Sequence, residues 1–585
     1  MSGILMWYQY FRRANSLLLL NCLMHTRTPF TPLFTRLGLL AALGFAALST
    51  QAQVAAPTWA SVVRANSSSG ANDGSRANEI AVAPDGSQYV CGVFEGTFTI
   101  GSTTLAAGAG NGHLFLVKLN PNGTVAWARQ ANTTSGDTDV SVAVDPAGNA
   151  YLTGYFSGSL SFPGAPGTLT TANGVTDAYV AKLDSQGNLL WAIPGGVTGG
   201  NSAYATGIAA DASGNVYVSG DFAGSIGFGG ASTVSASNSD VFLCKLSATN
   251  GAQVWIRKGG SNGSDFGYAL TTDAAGNPYL GGVIRQPAAI FGSVTLPAGT
   301  GAVNDEDIFV AKFDPQGNTV WAQRAGTANN DGVSDVAVDA SGNVAITGYV
   351  NGVFTSTSDA SEIYVARFSA TGAPQWSRRI VPTAPDYYQG QGVAFDNRGG
   401  LYVTGYFESS VTFGTTTLTA NTQDVFVVRY DGLGNAIWAN RAGGTTANDA
   451  AIAFDVATDA GGNAYLAGGV LGTVSFGSVA STGTGIGFFV SKLNAGGTIT
   501  ATRAAADVAL QTYPNPADDY TKLALPAGGG RLALTDALGR TVREQTLPQA
   551  AGTYRVALAG LAPGLYHLRA TLGNGQTAVS RVTVR

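Results

Sequence analysis

One stretch, FVAKFDPQGNTVWAQR from Phe309 to Arg324, returns along the chain between Trp59 and Arg503. A sequence built from copies of one unit must fold as an array, because no copy can bury its apolar face alone. The template is an aromatic residue, two small or branched apolar residues, a cation, an apolar residue, a short Gly turn and a Trp. Full copies run Phe115–Trp127, Tyr179–Trp191, Phe242–Trp255, Phe309–Trp321, Tyr364–Trp376 and Phe426–Trp438. A further copy, Phe489–Ala501, keeps the aromatic and Lys492 but has Ala501 where Trp is due.

A second element alternates with the first, as in VAVDPAGNAYLTGYF (Val142–Phe156) and VAVDASGNVAITGYV (Val336–Val350). Copies recur about every sixty residues, a period in the range of arrays and propellers. Each element is two short apolar runs around a Gly-containing turn, the signature of a β-hairpin. One period therefore holds four strands, a (VAVD), b (AYLTGYF), c (FVAKF) and d (TVWAQ). Strand c is apolar on both faces, so its sheet must lie between other sheets. Seven such units arranged radially form a seven-bladed β-propeller. Strand order a-b-c-d places the a–b and c–d hairpins on one face, and the long b–c and d–a connections on the other.

The strand count is uneven, because PTWASVV at Trp59 reads as a d strand with no a, b or c before it. The spare strand is expected to complete the last blade beside Phe489–Leu493, with its Trp buried as an anchor of roughly 150–250 Å². Thr498–Arg503 competes for that place without a Trp.

The repeats resemble bacterial β-propeller repeats of the SBBP type, which implies the same all-β fold and leaves activity open. The c–d hairpin DSQGNLLW (Asp184–Trp191) is similar to the Asp-box of sialidases, with longer intervals. It also resembles the tryptophan-docking motif of quinoprotein dehydrogenases, with the same Gly-to-Trp interval. Both are structural hairpins in those families, and no catalytic residue carries over.

Composition narrows the class. Charged residues make up 11% of the chain and the net charge is −5, which gives no basic field for nucleic acid. Arg36, the apolar run Leu37–Leu48 and the small residues after it read as a secretory signal peptide ending at Ala52, with residues 1–23 a spurious extension before Met24. A run that short is no transmembrane anchor. Cys91 and Cys244 fall in non-neighbouring blades, too far apart for a disulfide, and read as small buried hydrophobes.

After Ala504 the repeat stops. The short alternating strands and Gly turns that follow read as a small β-sandwich. This region resembles the type A C-terminal sorting domain of the type IX secretion system, at Tyr513, Pro514, Asn515 and Pro516, at Asp536 with Gly539 and Arg540, and at Leu561 with Gly564 and Tyr566. The resemblance implies a Bacteroidetes-type host, passage through the periplasm and outer membrane, and the secretion machinery as a partner. The expected domains are 1–52 leader, 53–505 propeller and 506–585 sorting domain.

Beyond the leader the chain has two histidines, His113 and His567. That argues against a His-rich metal site or a Ser-His-Asp triad, and the reading assigns no catalytic residue, metal or cofactor. Acids recurring before strand c (Asp177, Asp240, Asp307, Glu362, Asp424) read as ion-pair or turn residues, and the strand c cations (Lys118 to Lys492) as packed stems with satisfied heads. Residues before strand a, such as Asp265, Asp331 and Asp449, read as turn caps. Among the long connections, Asp386, Tyr387 and Tyr388 form the candidate ligand-binding group, for a glycan or protein at the cell surface. The first functional reading is a non-enzymatic binding or adhesion module. The alternatives are a polysaccharide-active enzyme using two carboxylates, and a purely structural surface protein.

Overall fold

The computed structural model describes residues 56–585 except 68–73, 108–111, 135–138, 165–166, 172–174, 199–200, 230–232, 286–287, 298–304, 328, 356–357, 382–387, 484, 496–507, 510–511, 514, 526–528, 536–540, 550–551 and 573–576. The expected leader, Asp386, Tyr387, Pro514, Asp536, Gly539, Arg540 and the competing strand Thr498–Arg503 lie outside the described residues. The chain forms two compact units that divide between Gly496 and Gly497. Among the described residues every element is a strand, and no helix is long and apolar enough to cross a membrane.

In the first unit the described strands pair into four-stranded antiparallel sets. One is Phe266–Thr272, Pro278–Ile284, Asp307–Phe313 and Thr319–Ala325, here called blade four. The others repeat its order, with strands a starting at Gly74, Asp139, Ala203, Asn330, Tyr388 and Ala450. Each strand a packs against the strands a before and after it, and the set from Ala450 packs back on the set from Gly74, so seven sets close a ring. The last set takes its outer strand from the N-terminal side: Trp59–Arg64 pairs antiparallel with Ile486–Leu493.

The register of that closing strand differs from its six counterparts. In the other blades the Trp of strand d stands opposite the strand c cation, as in Lys118↔Trp127 and Lys312↔Trp321. In blade seven Ser61 stands opposite Lys492, and Trp59 stands opposite Leu493. The Trp-to-cation interval in the sequence explains the offset. TVWAQR puts Arg324 three residues after Trp321, whereas TWASVVR puts Arg64 five after Trp59, so only one of the two anchors can keep its place. The strand keeps the arginine: Arg64 faces Phe489 as Arg324 faces Phe309 and Arg441 faces Phe426. Its guanidinium donates to the carbonyls of Gly472 (2.5 Å) and Gly485 (2.7 Å). Trp59 is still buried, 5% exposed, with its ring edge-on to Phe476 at 5.1 Å.

The b–c segments are not open loops. In blades one, two, four, six and seven they fold into a second hairpin, for example Ala289–Phe291 with Val294–Leu296. In blade three they prolong strands b and c, to Phe228 and from Val234. Several reach back to strand d of the preceding blade, as Gly259↔Phe291, Gly195↔Phe228 and Ala442↔Phe476 show. The aromatic at the tip covers the aromatic of strand c, with Phe291 on Phe309 at 4.6 Å and Phe476 on Phe489 at 4.9 Å. The turn after it needs a left-handed residue, supplied by Gly292 (φ 56°) and Gly477 (φ 57°).

The second unit has a five-stranded sheet and a three-stranded sheet. Leu523 and Val556 from the smaller sheet meet Leu532, Leu534, Leu568 and Val582 from the larger in one core, the arrangement of a β-sandwich. Of the motif residues described here, Tyr513 lies in a short strand, Pro516 follows Asn515, and Asn515 Oδ1 accepts from the Thr583 N–H at 2.9 Å. Tyr566 is buried just after Gly564, with its hydroxyl donating to the Ala562 carbonyl at 2.8 Å.

Candidate functional site

Most of the repeated polar residues are committed to holding the blades. Lys182, Lys245 and Lys312 lie 3.8–3.9 Å from the turn aspartates Asp145, Asp211 and Asp273, each over a strand b tyrosine. Arg429 pairs with Asp396 at 2.6 Å, both side chains buried. The acids before strand c pair with cations of strand d, as Asp240–Lys258, Glu362–Arg379, Asp307–Arg324 and Asp424–Arg441. Asp265, Asp331 and Asp449 cap their turns through the backbone and hydroxyls of Ser261, Thr327 and Thr446. Cys91 and Cys244 are buried thiols.

Tyr388 does not stand on the surface. It begins strand a of blade six at 1% exposure, inside that blade's core, with its hydroxyl donating to the Ser410 carbonyl at 3.3 Å. An apolar ring beside a fully buried strand gains more from packing than from water, which is why the second tyrosine of the pair is taken inside.

The arrangement that breaks the repeat lies on the inner strands. In all blades but the second, strand a carries a bulge near its middle, and the residue after it is Glu79, Gly207, Ala269, Asp335, Gly392 or Asp455. A cavity of about 250 Å³ lies among these strands, lined by Glu79, Asp335 and Asp455 and, from the bulges, Asn78, Thr206, Tyr268, Ser334, Gln391 and Phe454. Of the bulge residues, Tyr268 lies in the half of its strand that follows the d–a connection. Tyr268 is 39% exposed there and stacks on Phe266, over which Arg285 lies at 5.0 Å. Arg76 lies over Phe454 at 5.8 Å.

Each of the three carboxylates accepts a backbone N–H from the next blade. The donors are Val142 to Glu79 (2.9 Å), Val393 to Asp335 (2.7 Å) and Ile80 to Asp455 (2.9 Å). Asp335 and Asp455 use their second oxygens on the N–H groups of Val336 and Val456. Ser141 and Thr206 continue the pattern by donating to the carbonyls of Thr206 and Gly267.

Burial, then the charges of Asp455 and Asp335, holds the Glu79 carboxyl well above its usual range, and burial with the charge of Asp455 does the same for Asp335. Asp455 is pushed up to about 6 by burial, against its two N–H bonds. Nearby on strand b, burial pushes Asp221 up to about 7, opposed by a bond from Ser239. These acids escaped sequence reasoning. The available signal was position: a carboxylate at Glu79, Asp335 and Asp455 where sister blades have Gly207, Ala269 and Gly392. Among the described residues no group of His, Cys, Asp or Glu is placed to hold a metal ion.

The family described as secretion system C-terminal sorting domain matches residues 511–585, and the family described as beta-propeller repeat matches residues 126–158 and 375–406. An uncharacterized WD repeat-containing protein of Acanthamoeba polyphaga mimivirus is 26% identical over 56% of this chain and 24% of its own length. Regulatory protein FlaEY of Caulobacter vibrioides is 30% identical over 43% of this chain and 25% of its own length. The chain thus spans about a quarter of the length of these curated relatives. Among solved structures, quinohemoprotein alcohol dehydrogenase from Comamonas testosteroni aligns over 86% of this chain and 77% of its own, at 12% identity and a TM-score of 0.35. The chain carries β-propeller repeats followed by a secretion system C-terminal sorting domain.

Proposed function

We propose that this protein is a non-enzymatic binding or adhesion module, exported by the type IX system to the cell surface or extracellular space, whose ligand sits at the mouth of the central cavity. The sorting domain at 511–585 carries the export reading. The binding reading rests on one observation: Tyr268, Phe454, Arg76 and the amide residues Asn78 and Gln391 line one cavity with three carboxylates that are engaged by backbone N–H groups. Aromatic faces beside amides and an arginine suit the apolar faces and hydroxyls of a glycan. Asp386 and Tyr387, which directly precede strand a of blade six in the sequence, are proposed as further contacts.

A glycan array with the full mature chain tests this, followed by titration of Tyr268→Ala and Tyr387→Ala. Each is expected to weaken the ligand found by more than about 1 kcal/mol, as for an aromatic anchor. Unchanged affinity in both variants would move the site elsewhere. Removal of 511–585 should leave the protein in the periplasm, and normal surface display without it would contradict the export reading.

A second reading has its own observation. Raised carboxyls such as Asp455 and Glu79 are the condition in which a general acid works near neutral pH. Polysaccharide turnover abolished by Asp455→Asn would favour the enzyme over the binding module.

A further inference from the structure

The outer rim holds a slot whose five described sisters are each filled by an indole. At five seams the strand d Trp of one blade lies flat on the c–d turn Gly of the next. A Cβ on Gly187 would come within 3.0 Å of Trp127, one on Gly372 within 2.7 Å of Trp321, and one on Gly434 within 2.6 Å of Trp376. The indole N–H donates to the carbonyl of the second turn residue, as Trp127 to Ser185, Trp255 to Pro315, Trp321 to Ala370 and Trp376 to Gly432, each at 3.1 Å.

At the seam between blade seven and blade one this lock is absent. Ser61 holds the Trp position, and a Cβ on Gly123 would meet only Val63 Cγ2, at 3.7 Å. Trp59 has turned into the core shared by blades six and seven, next to Phe476 and in one cluster with Trp438. The volume left behind is a cavity of about 230 Å³, lined among others by Ser61, Val63, Pro121, Gly123, Tyr465 and Lys492. Its parts match those around the sister indoles: a Gly turn to stack on, Pro121 at the turn position whose carbonyl accepts the indole N–H elsewhere, and a lysine, Lys492, over a tyrosine, Tyr465, at 5.1 Å.

We propose that this seam slot binds an indole group from outside the fold, with a tryptophan side chain as the natural carrier. The ring would stack on the Asn122–Gly123 peptide and its N–H would donate to the Pro121 carbonyl, as Trp127, Trp255, Trp321 and Trp376 do at their own seams. The site is separate from the central cavity and does not depend on the function proposed for it. The cavity is smaller than the roughly 300–1,000 Å³ of ordinary ligand pockets, in keeping with a single side chain.

The test is titration of the full mature chain with N-acetyl-tryptophanamide, free indole and N-acetyl-phenylalaninamide, followed by NMR or calorimetry. Saturable binding of the tryptophan amide, at least tenfold tighter than the phenylalanine amide, is expected. Comparison with free indole shows whether the amide backbone adds to the ring. Ser61→Trp fills the slot from within and should abolish binding, and Ser61→Leu, a smaller filling that the strand tolerates more easily, should weaken it at least tenfold. No saturable binding by the parent chain, equal binding of the phenylalanine amide, or undiminished binding in both variants would each overturn the proposal. Binding that appears only in Trp59→Ala would overturn it too, because Trp59 would then be filling the slot by a two-residue slip of its strand.

Discussion

The seam between blades four and five and the seam between blades seven and one join the same kinds of strand by different means. At the first, Trp321 covers Gly372 and its N–H reaches Ala370, so the lock sits at the outer rim. At the second, the outer rim has Ser61 and a cavity, and the lock sits at the inner rim, where Asp455 accepts the Ile80 N–H. A short strand pair, Asn66↔Thr99 and Ser67↔Phe98, adds to it. The difference shows what closing a ring with a distant strand requires. A segment more than four hundred residues from its partners in sequence is fixed by backbone pairing and the Arg64 bonds, and the position of one indole is given up for them.

The largest effects should come from the two tryptophans, and they should separate by place. Trp321→Ala and Trp59→Ala each remove a buried indole, and each should cost about 3–5 kcal/mol in a reversible denaturation. Amide exchange tells them apart. Trp321→Ala should speed exchange in the turn at 369–373, across its seam. Trp59→Ala should speed exchange around Phe476 and leave the turn at 120–123 as it was. Faster exchange at 120–123 would place Trp59 on the seam after all and erase the contrast.

That contrast marks where the sequence was legible. Strand order, the turn chemistry and the sandwich tail follow from period-two patterns and Gly turns, which are local. The closing strand could be recognised as a d strand, yet its register could not be read from the Trp-Ala pair, because Arg64 competes for the anchor and a choice between anchors depends on neighbours far along the chain. The second hairpins were missed although their signal recurs, in SFPG, GFGG, IFGS, TFGT and SFGS. Each run is too short to stand as a hairpin by itself, and most gain strand d of the preceding blade as a partner. Glu79, Asp335 and Asp455 were hidden for a related reason, since a lone acid in a strand looks solvent-facing until the strand is known to line the inside of a ring.

A smaller effect tests the inner lock through pH. Asp455, raised by burial to about 6, keeps its proton in the folded ring after the unfolded chain has released it near its ordinary value of about 3.9. The folded state then binds more protons between about pH 4 and 6, so this group's contribution is full below that window and is lost as pH rises through about 6. Glu79 and Asp335, which share its field, shift the same way, and Arg76 lines the same cavity. The turn aspartates run opposite. Burial works against Asp273 and Asp459, but bonds from Asn277 and Asn463 hold them below the usual range, so their contribution is present above it and lost as pH falls. Urea midpoints of parent and Asp455→Asn between pH 4 and 7 should therefore diverge, with the parent losing more stability on the way up. Parallel curves would mean that the inner lock carries no proton.

The smallest effect belongs to Ser61, and its smallness is the point. At the other seams this position is a tryptophan worth several kcal/mol, so a residue of equal structural weight should be costly to change. Ser61 instead borders a cavity, and no neighbouring atom depends on its hydroxyl to fill space. Ser61→Ala should stay within about 0.5 kcal/mol of the parent, the range of substitutions away from packed features. A loss comparable to that of Trp321→Ala would mean that the closing seam is packed as tightly as the rest, and that the cavity at Gly123 is filled when the ring closes.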